Sequence, residues 1–207
     1  VAFQDLHRQA GRGHAYGLPI LGRREALEAH TPEAMAHFHR HHYRSDRCCL
    51  AIAGPLQGLQ LIDQLDSSPL GQLQRAEAIQ APVPLHLKPG SARLELPRLE
   101  AARLLMAWQL PGAADQDAVM GGDLLTTLLA EGRRERLRER LRLVESIDLD
   151  LNVLESGCLV LLEAVCEPDQ LPAVEEEVRR VLVELQEQSP GESEMERARR
   201  LVGNGYR

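Results

Sequence analysis

The order of strand-like and helix-like hydrophobic patterns in its second half constrains the fold of this chain most. Residues 147–153 alternate apolar and polar side chains with a period of two, as a strand with one solvated face does. Residues 157–165 are almost continuously apolar, which is typical of a central strand. Apolar residues then recur at helical spacing from Leu171 to Leu185, and this pattern predicts a helix capped by Asp169.

Further strands and helices are predicted on either side of this core. Residues 93–96 and 103–108 read as two strands, followed by a helix over 115–130, an arginine-rich helix after Gly132 and a final helix over about 191–202. Strand pairs that alternate with helices predict the α+β class. We expect a layered, antiparallel-rich sheet with helices packed on one of its faces.

The first third of the chain predicts an α-β-α arrangement. Thr31 is a good N-cap and precedes Pro32, so a helix is expected from there to about Tyr43. The apolar run 47–53 predicts a strand, and the leucine and isoleucine spacing over 56–65 predicts a second helix.

Proline, glycine and serine interrupt the pattern over 67–91, which predicts a semi-rigid linker. We therefore expect residues 1–66 to end one α+β domain and residues 92–207 to form most of a second. One compact fragment is the alternative. Because the chain starts at Val1 inside a predicted helix, we expect it to be a fragment of a longer protein.

Composition narrows the choice of partners. A formal net charge of -7 argues against nucleic acid, because phosphate binding needs a concentrated basic surface. No apolar stretch approaches the length of a membrane span, so we expect no membrane partner. The four cysteines, Cys48, Cys49, Cys158 and Cys166, lack metal or redox spacing and lie in apolar runs, which predicts buried thiols.

Histidines crowd one predicted helix, at His37, His39, His41 and His42. Imidazoles are common metal ligands, but two ligands sharing one helical face hold zinc weakly. A solvated, pH-sensitive helix face, with Met35 and Phe38 on the core side, is the alternative. The sequence leaves both interpretations open.

Catalytic motifs are missing from the sequence. It contains neither His-x-x-Glu-His nor His-Glu-x-x-His, which place two zinc ligands and a general base on one helix, and it lacks Gly-x-Ser-x-Gly. We therefore predict that this chain is not an enzyme, with no catalytic residue, metal site or cofactor of its own.

Three stretches together resemble the insulinase/pitrilysin family of zinc peptidases, most closely its bacterial branch that is similar to the mitochondrial processing peptidase. They are His14-Ala-Tyr16-Gly17-Leu-Pro19-Ile20-Leu-Gly22, Thr31-Pro-Glu33 through Phe38 and Tyr43 to the run Arg47-Cys-Cys-Leu-Ala-Ile-Ala-Gly54, and Leu128-Leu-Ala-Glu-Gly132 with Arg136-Leu137, Val144-Glu145-Ser-Ile147 and Gly157-Cys-Leu-Val-Leu-Leu.

The resemblance implies a processing-peptidase-type metallohydrolase fold, in which homologous α+β domains sit in tandem and two halves enclose a peptide chamber. Zinc is expected in the parent protein or in a partner half, which the resemblance implies is a zinc-dependent metalloendopeptidase. This chain is then a non-catalytic domain that forms chamber wall and supports peptide binding or assembly with that half. The alternative is a purely structural subunit that pairs with an active homologue.

The same resemblance suggests partners and site residues. Expected partners are a zinc-bearing half or a homologous subunit, with an unfolded peptide and dimerisation as further expectations, in the cytoplasm or periplasm of a bacterium. Active members carry an arginine and a tyrosine seven residues apart that contact substrate. Arg138 matches the arginine if Leu137-Arg138 is the family's Leu-Arg, and Glu145 then replaces the tyrosine; Arg142 is the alternative match.

Overall fold

The computed structural model of the chain describes residues 2–75, 81–96, 101–130 and 143–205. Its helices are α1 (Ala2–Ala10), α2 (Arg24–Glu28), α3 (Pro32–His42), α4 (Leu61–Asp66), α5 (Gln116–Leu128), α6 (Leu171–Glu187) and α7 (Glu192–Gly205), and its strands are β1 (Ala102–Leu110), β2 (Ser146–Asn152) and β3 (Cys158–Cys166). Two compact units result, one of Val1–Pro19 with Pro82–Arg207 and the other of Ile20–Ala81.

The larger unit contains an antiparallel sheet in the order β1-β3-β2. The apolar strand β3 is central, and the alternating strand β2 lies beside it, as their patterns predict. The expected α+β class with an antiparallel sheet is confirmed.

A helical layer covers one face of this sheet. Ile147 on β2 and Leu162 and Ala164 on β3 point to that face, where they are buried against Val174 and Val178 of α6. The helical spacing of the valines places both on one side of α6. The core of the larger unit therefore lies between the sheet and its C-terminal helices.

The opposite face of the sheet is covered at one end. Leu159 and Leu161 of β3 pack there with Leu85, and Leu6 of α1 and Tyr16 join the cluster. The N-terminal helix thus belongs to the same core as the C-terminal half of the chain.

The smaller unit contains α2, α3 and α4, and none of these helices has a buried residue. Helix α3 begins as predicted, because the Thr31 hydroxyl accepts a hydrogen bond from the Ala34 amide at 3.2 Å. The expected core side of α3 is wrong, since Met35 and Phe38 are exposed.

In the smaller unit, the strand predicted over 47–53 is absent and the helix predicted over 56–65 is shorter than expected. Residues 48–53 form no strand, and the described part of Ile20–Ala81 offers no other strand to pair with them. The helix predicted over 56–65 begins only at Leu61, because Gly58 has φ 79°, outside the helical region. The expected burial of Cys48 and Cys49 is also wrong, as both lie exposed in this segment.

Most element predictions for the larger unit are confirmed, with two corrections. Residues 93–96 form no strand, and Leu94 is left exposed there. Helix α6 begins at Leu171 with Gln170 as its N-cap, so Asp169 does not cap it. Cys158 and Cys166 are buried as expected.

Three further expectations concern extent and boundaries. The arginine-rich helix after Gly132 falls on residues 131–142, outside the described residues. The predicted domains 1–66 and 92–207 and the linker 67–91 remain a prediction, because the two units above group the chain by its contacts and not by repeated architecture. Among the described helices, none combines the length and apolarity that a membrane crossing requires.

Candidate functional site

Strand β2 forms an edge of the described sheet and directly follows Glu145, one of the candidate residues. Its pairing partner is β3, with Asp148 opposite Glu163 and Asp150 opposite Leu161. Because side chains alternate along a strand, Ile147 points into the core while both aspartates point to the opposite face. The outer edge of β2 presents backbone groups on which an extended chain could pair.

The uncovered part of that face is acidic. Glu163 lies directly opposite Asp148, an arrangement of like charges that destabilises a sheet. The guanidinium of Arg103 on β1 donates to a Glu163 carboxylate oxygen and offsets one of these charges. The Glu163 side chain is 22% exposed and that of Arg103 is 42% exposed, so the pair lies at the surface.

Glu145, the residue expected in the place of the substrate-binding tyrosine, lies directly before β2 and is exposed. Its backbone amide donates to the Val165 carbonyl at 2.8 Å, which fixes where β2 begins. Arg138 and Arg142 lie outside the described residues. Of the three candidate residues, Glu145 alone lies among the described residues.

The buried thiol nearest to these groups is not an activated nucleophile. Burial raises the pKa of Cys166, and the carboxylates of Asp169, Glu145 and Glu167 raise it further. A raised pKa keeps the sulfur protonated, whereas a catalytic cysteine needs the thiolate.

The loop His14–Gly22, which carries the first family motif, begins with a set of specific contacts. Nδ1 of His14 accepts from the Tyr16 amide at 3.1 Å, which leaves Nε2 to donate to the Val83 carbonyl at 2.9 Å. The Tyr16 hydroxyl accepts from the Ser156 amide at 3.3 Å, in the turn between β2 and β3. The motif thus connects the N-terminal segment to the sheet, and this role is not evident from the sequence pattern alone.

Gly17 in this motif permits a close approach of two backbone segments. A Cβ built there would lie 2.4 Å from the Gly11 carbonyl oxygen, closer than real Cβ contacts allow. A side chain at this position would push apart the segments that His14 and Tyr16 hold.

The donors that a peptidase zinc requires are not assembled in the described part of the chain. No group of three or more histidine, cysteine, aspartate or glutamate side chains is placed to hold a metal ion there. Catalytic zinc sites use three protein ligands and an open position. The described residues therefore do not fit a catalytic zinc.

The described residues thus form an α+β layer in which the strand β2, with its exposed aspartates, is at the edge of an antiparallel sheet. Residues 29–202 match the family model described as the peptidase M16 inactive domain. The chain belongs to this family, which confirms the insulinase/pitrilysin resemblance.

Sequence relatives and solved structures agree with this assignment. Over 90 residues the chain is 36% identical to the probable mitochondrial-processing peptidase subunit beta of Schizosaccharomyces pombe, which is 43% of this chain and 20% of that protein. The fold is similar to a peptidase M16 inactive domain from Pseudomonas fluorescens, with a TM-score of 0.79, 18% identity, and coverage of 100% of this chain and 51% of that one.

A protease from Helicobacter pylori shares the fold as well, with a TM-score of 0.78 and 15% identity over 97% of this chain and 51% of that one. A chain of Complex III2 from Candida albicans gives a TM-score of 0.74 and 17% identity over 99% of this chain and 51% of that one. The chain thus spans about half the length of these solved chains and a fifth of the curated relative.

Proposed function

We propose that this chain forms part of the wall of a peptide chamber and associates with a zinc-bearing peptidase half. That half supplies the zinc and the general base, and this chain supplies part of the surface that encloses the peptide. The exposed apolar residues of the smaller unit support this association.

Those residues are the observation that carries the proposal. Met35 and Phe38 on α3 are 65% and 57% exposed, and Leu50 and Ile52 in the apolar run are 53% and 44% exposed. Met35 and Phe38 are three residues apart on α3 and therefore share one face of that helix. Contiguous exposed apolar surface marks a region that another molecule covers. Residues 48–53 also have the composition of a strand, and a partner's sheet would satisfy both their side chains and their backbone.

The sheet edge supports a role in peptide binding. An extended peptide gains main-chain hydrogen bonds by adding to an open strand edge, a mode that tolerates many sequences. The β2 edge offers this geometry, with Asp148 and Asp150 exposed beside it. The relative from Schizosaccharomyces pombe is by name one subunit of a processing peptidase, which supports pairing of the present chain with another subunit.

The association is tested by mixing this chain with a peptidase half that carries His-x-x-Glu-His and measuring complex formation by analytical ultracentrifugation. We expect Phe38→Ser and Ile52→Asp to weaken the complex by about tenfold or more, as truncation of interface hot spots does. The matched control is Val183→Ser on α6, since Val183 is 49% exposed but belongs to the larger unit. Equal loss in the control, or no complex with the unaltered chain, would contradict the proposal.

Hydrogen exchange measured on the same complex distinguishes a domain of the chamber wall from a purely structural subunit. Under the proposal an unfolded peptide slows backbone hydrogen exchange in β2, because its strand edge becomes paired. A subunit that serves assembly alone forms the complex without that protection.

A further inference from the structure

Helix α3 carries two histidines, His37 and His41, one turn apart on the same face. The rings of His37 and His41 are stacked, with centroids 6.1 Å apart and an interplanar angle of 6°. Residues four apart lie on the same helical face, so the backbone holds this pair in register. Both residues are exposed, as are the other residues of α3.

We propose that His37 and His41 form a two-ligand site for a divalent first-row transition-metal ion. Imidazole nitrogen suits copper, nickel and zinc, and affinity for such donors rises to a maximum at Cu²⁺. Metal–nitrogen bonds of about 2.0–2.1 Å are short enough for one ion to bridge two rings on adjacent turns after side-chain rotation. Water occupies the remaining coordination positions.

The neighbouring histidines make other ring contacts. His42 also lies edge-on to His41, with ring centroids 5.0 Å apart, so His37 and His41 are the pair with parallel rings. His39 stacks on Tyr43 with centroids 4.7 Å apart. Nδ1 of His42 lies 3.2 Å from a guanidinium nitrogen of Arg47, and its ring lies 4.2 Å from that of Phe38.

Nearby charged side chains affect the affinity of the site for a metal cation. Glu33 lies one turn before His37 on the same face and favours a cation, whereas Arg40 lies three residues after His37 and opposes one. Two imidazoles without a third protein ligand or a general base cannot form a peptidase centre. The site is therefore separate from the zinc expected in the partner half.

The test is titration of the chain, without a histidine tag, with Cu²⁺ by calorimetry and electron paramagnetic resonance. Because Cys48 and Cys49 are exposed thiols close in sequence, all variants carry Cys48→Ser and Cys49→Ser. We expect one stoichiometric site with a nitrogen hyperfine signature. His37→Ala and His41→Ala should each weaken it by more than about tenfold, since even an outer-shell partner contributes 10–100-fold.

His39→Ala is the matched control and should leave the affinity unchanged. Circular dichroism checks that the helix persists, and His37→Gln replaces His37→Ala if the alanine variant does not fold. Several weak sites that are insensitive to His37 and His41, which means an adventitious ion only, would overturn the proposal. Equal loss in His39→Ala would overturn it too, because the pair would then not be the site.

Discussion

At the scale of single residues, the fold alters the acid–base chemistry of His7 on α1. His7 is half-buried and lines a small apolar pocket with Leu6, Tyr16 and Leu85. Burial lowers the pKa of His7 from 6.5, because the charged imidazolium loses hydration. Protonation of His7 and packing of α1 on the sheet therefore oppose each other.

This opposition predicts a loss of stability in acid. Well above pH 6.5 His7 is neutral in both states and its packing is fully retained. As the pH falls below 6.5, the unfolded state takes up the proton first, so the free energy of unfolding decreases until the pH reaches the lower folded-state pKa. We expect His7→Gln to reduce this decrease, measured by urea denaturation at about pH 8 and about pH 5.

The control for that measurement is His86→Gln, since His86 is exposed in the same unit. Its pH dependence should match that of the unaltered chain. An equal change in both variants would show that burial of His7 is not the cause.

Individual residues also mark where sequence patterns stop being informative. The family motif at His14–Gly22 can be recognised in the sequence, but the bond from the Ser156 amide to the Tyr16 hydroxyl joins residues 140 positions apart. The clash that restricts Gly17 likewise comes from the Gly11 carbonyl and not from a local turn requirement. Such contacts depend on the assembled fold, so no local pattern encodes them.

At the scale of elements, local signals succeed where the neighbouring element is part of the same unit. The period-two pattern of β2 and the apolar run of β3 are confirmed because each strand pairs with a described neighbour. The equally apolar run at 48–53 forms no strand in a unit whose described residues contain none. Hydrophobic composition thus predicts a strand only when a partner strand is also present.

The starts of α3 and α5 are predictable because capping by Thr31 and Asp115 is local, whereas Asp169 does not cap α6. Asp115 accepts a hydrogen bond from the Ala118 amide at 3.0 Å and begins α5. We expect Asp115→Ala to lower the free energy of unfolding by about 1 kcal/mol, the usual effect of losing an N-cap. Asp115→Ser, which keeps an oxygen acceptor, should restore most of this loss in urea denaturation. Equal destabilisation by serine would show that capping is not what Asp115 contributes.

At the scale of the whole molecule, the sequence motifs identify the family, and the strand and helix patterns predict the layered sheet. The patterns do not reveal that Val1–Pro19 shares a unit with Pro82–Arg207. That grouping comes from Leu6 and Tyr16 packing on Leu159 and Leu161, and from the Lys88 amide donating to the Ala10 carbonyl at 2.8 Å. The sequence shows that α1 carries apolar residues such as Leu6, but it does not show which sheet they pack against.

This shared core predicts that the N-terminal segment remains bound after the chain is cut. A recognition sequence for a site-specific protease, inserted after Gly22 in an exposed loop, would separate residues 1–22 from the rest. We expect the two pieces to co-elute in gel filtration under native conditions and to separate in urea, because Leu6 and Tyr16 still pack on the sheet. Leu6→Asp should release the peptide after cleavage, since a carboxylate in this apolar cluster is costly. Separate elution of the unaltered pieces would contradict the grouping of Val1–Pro19 with the sheet.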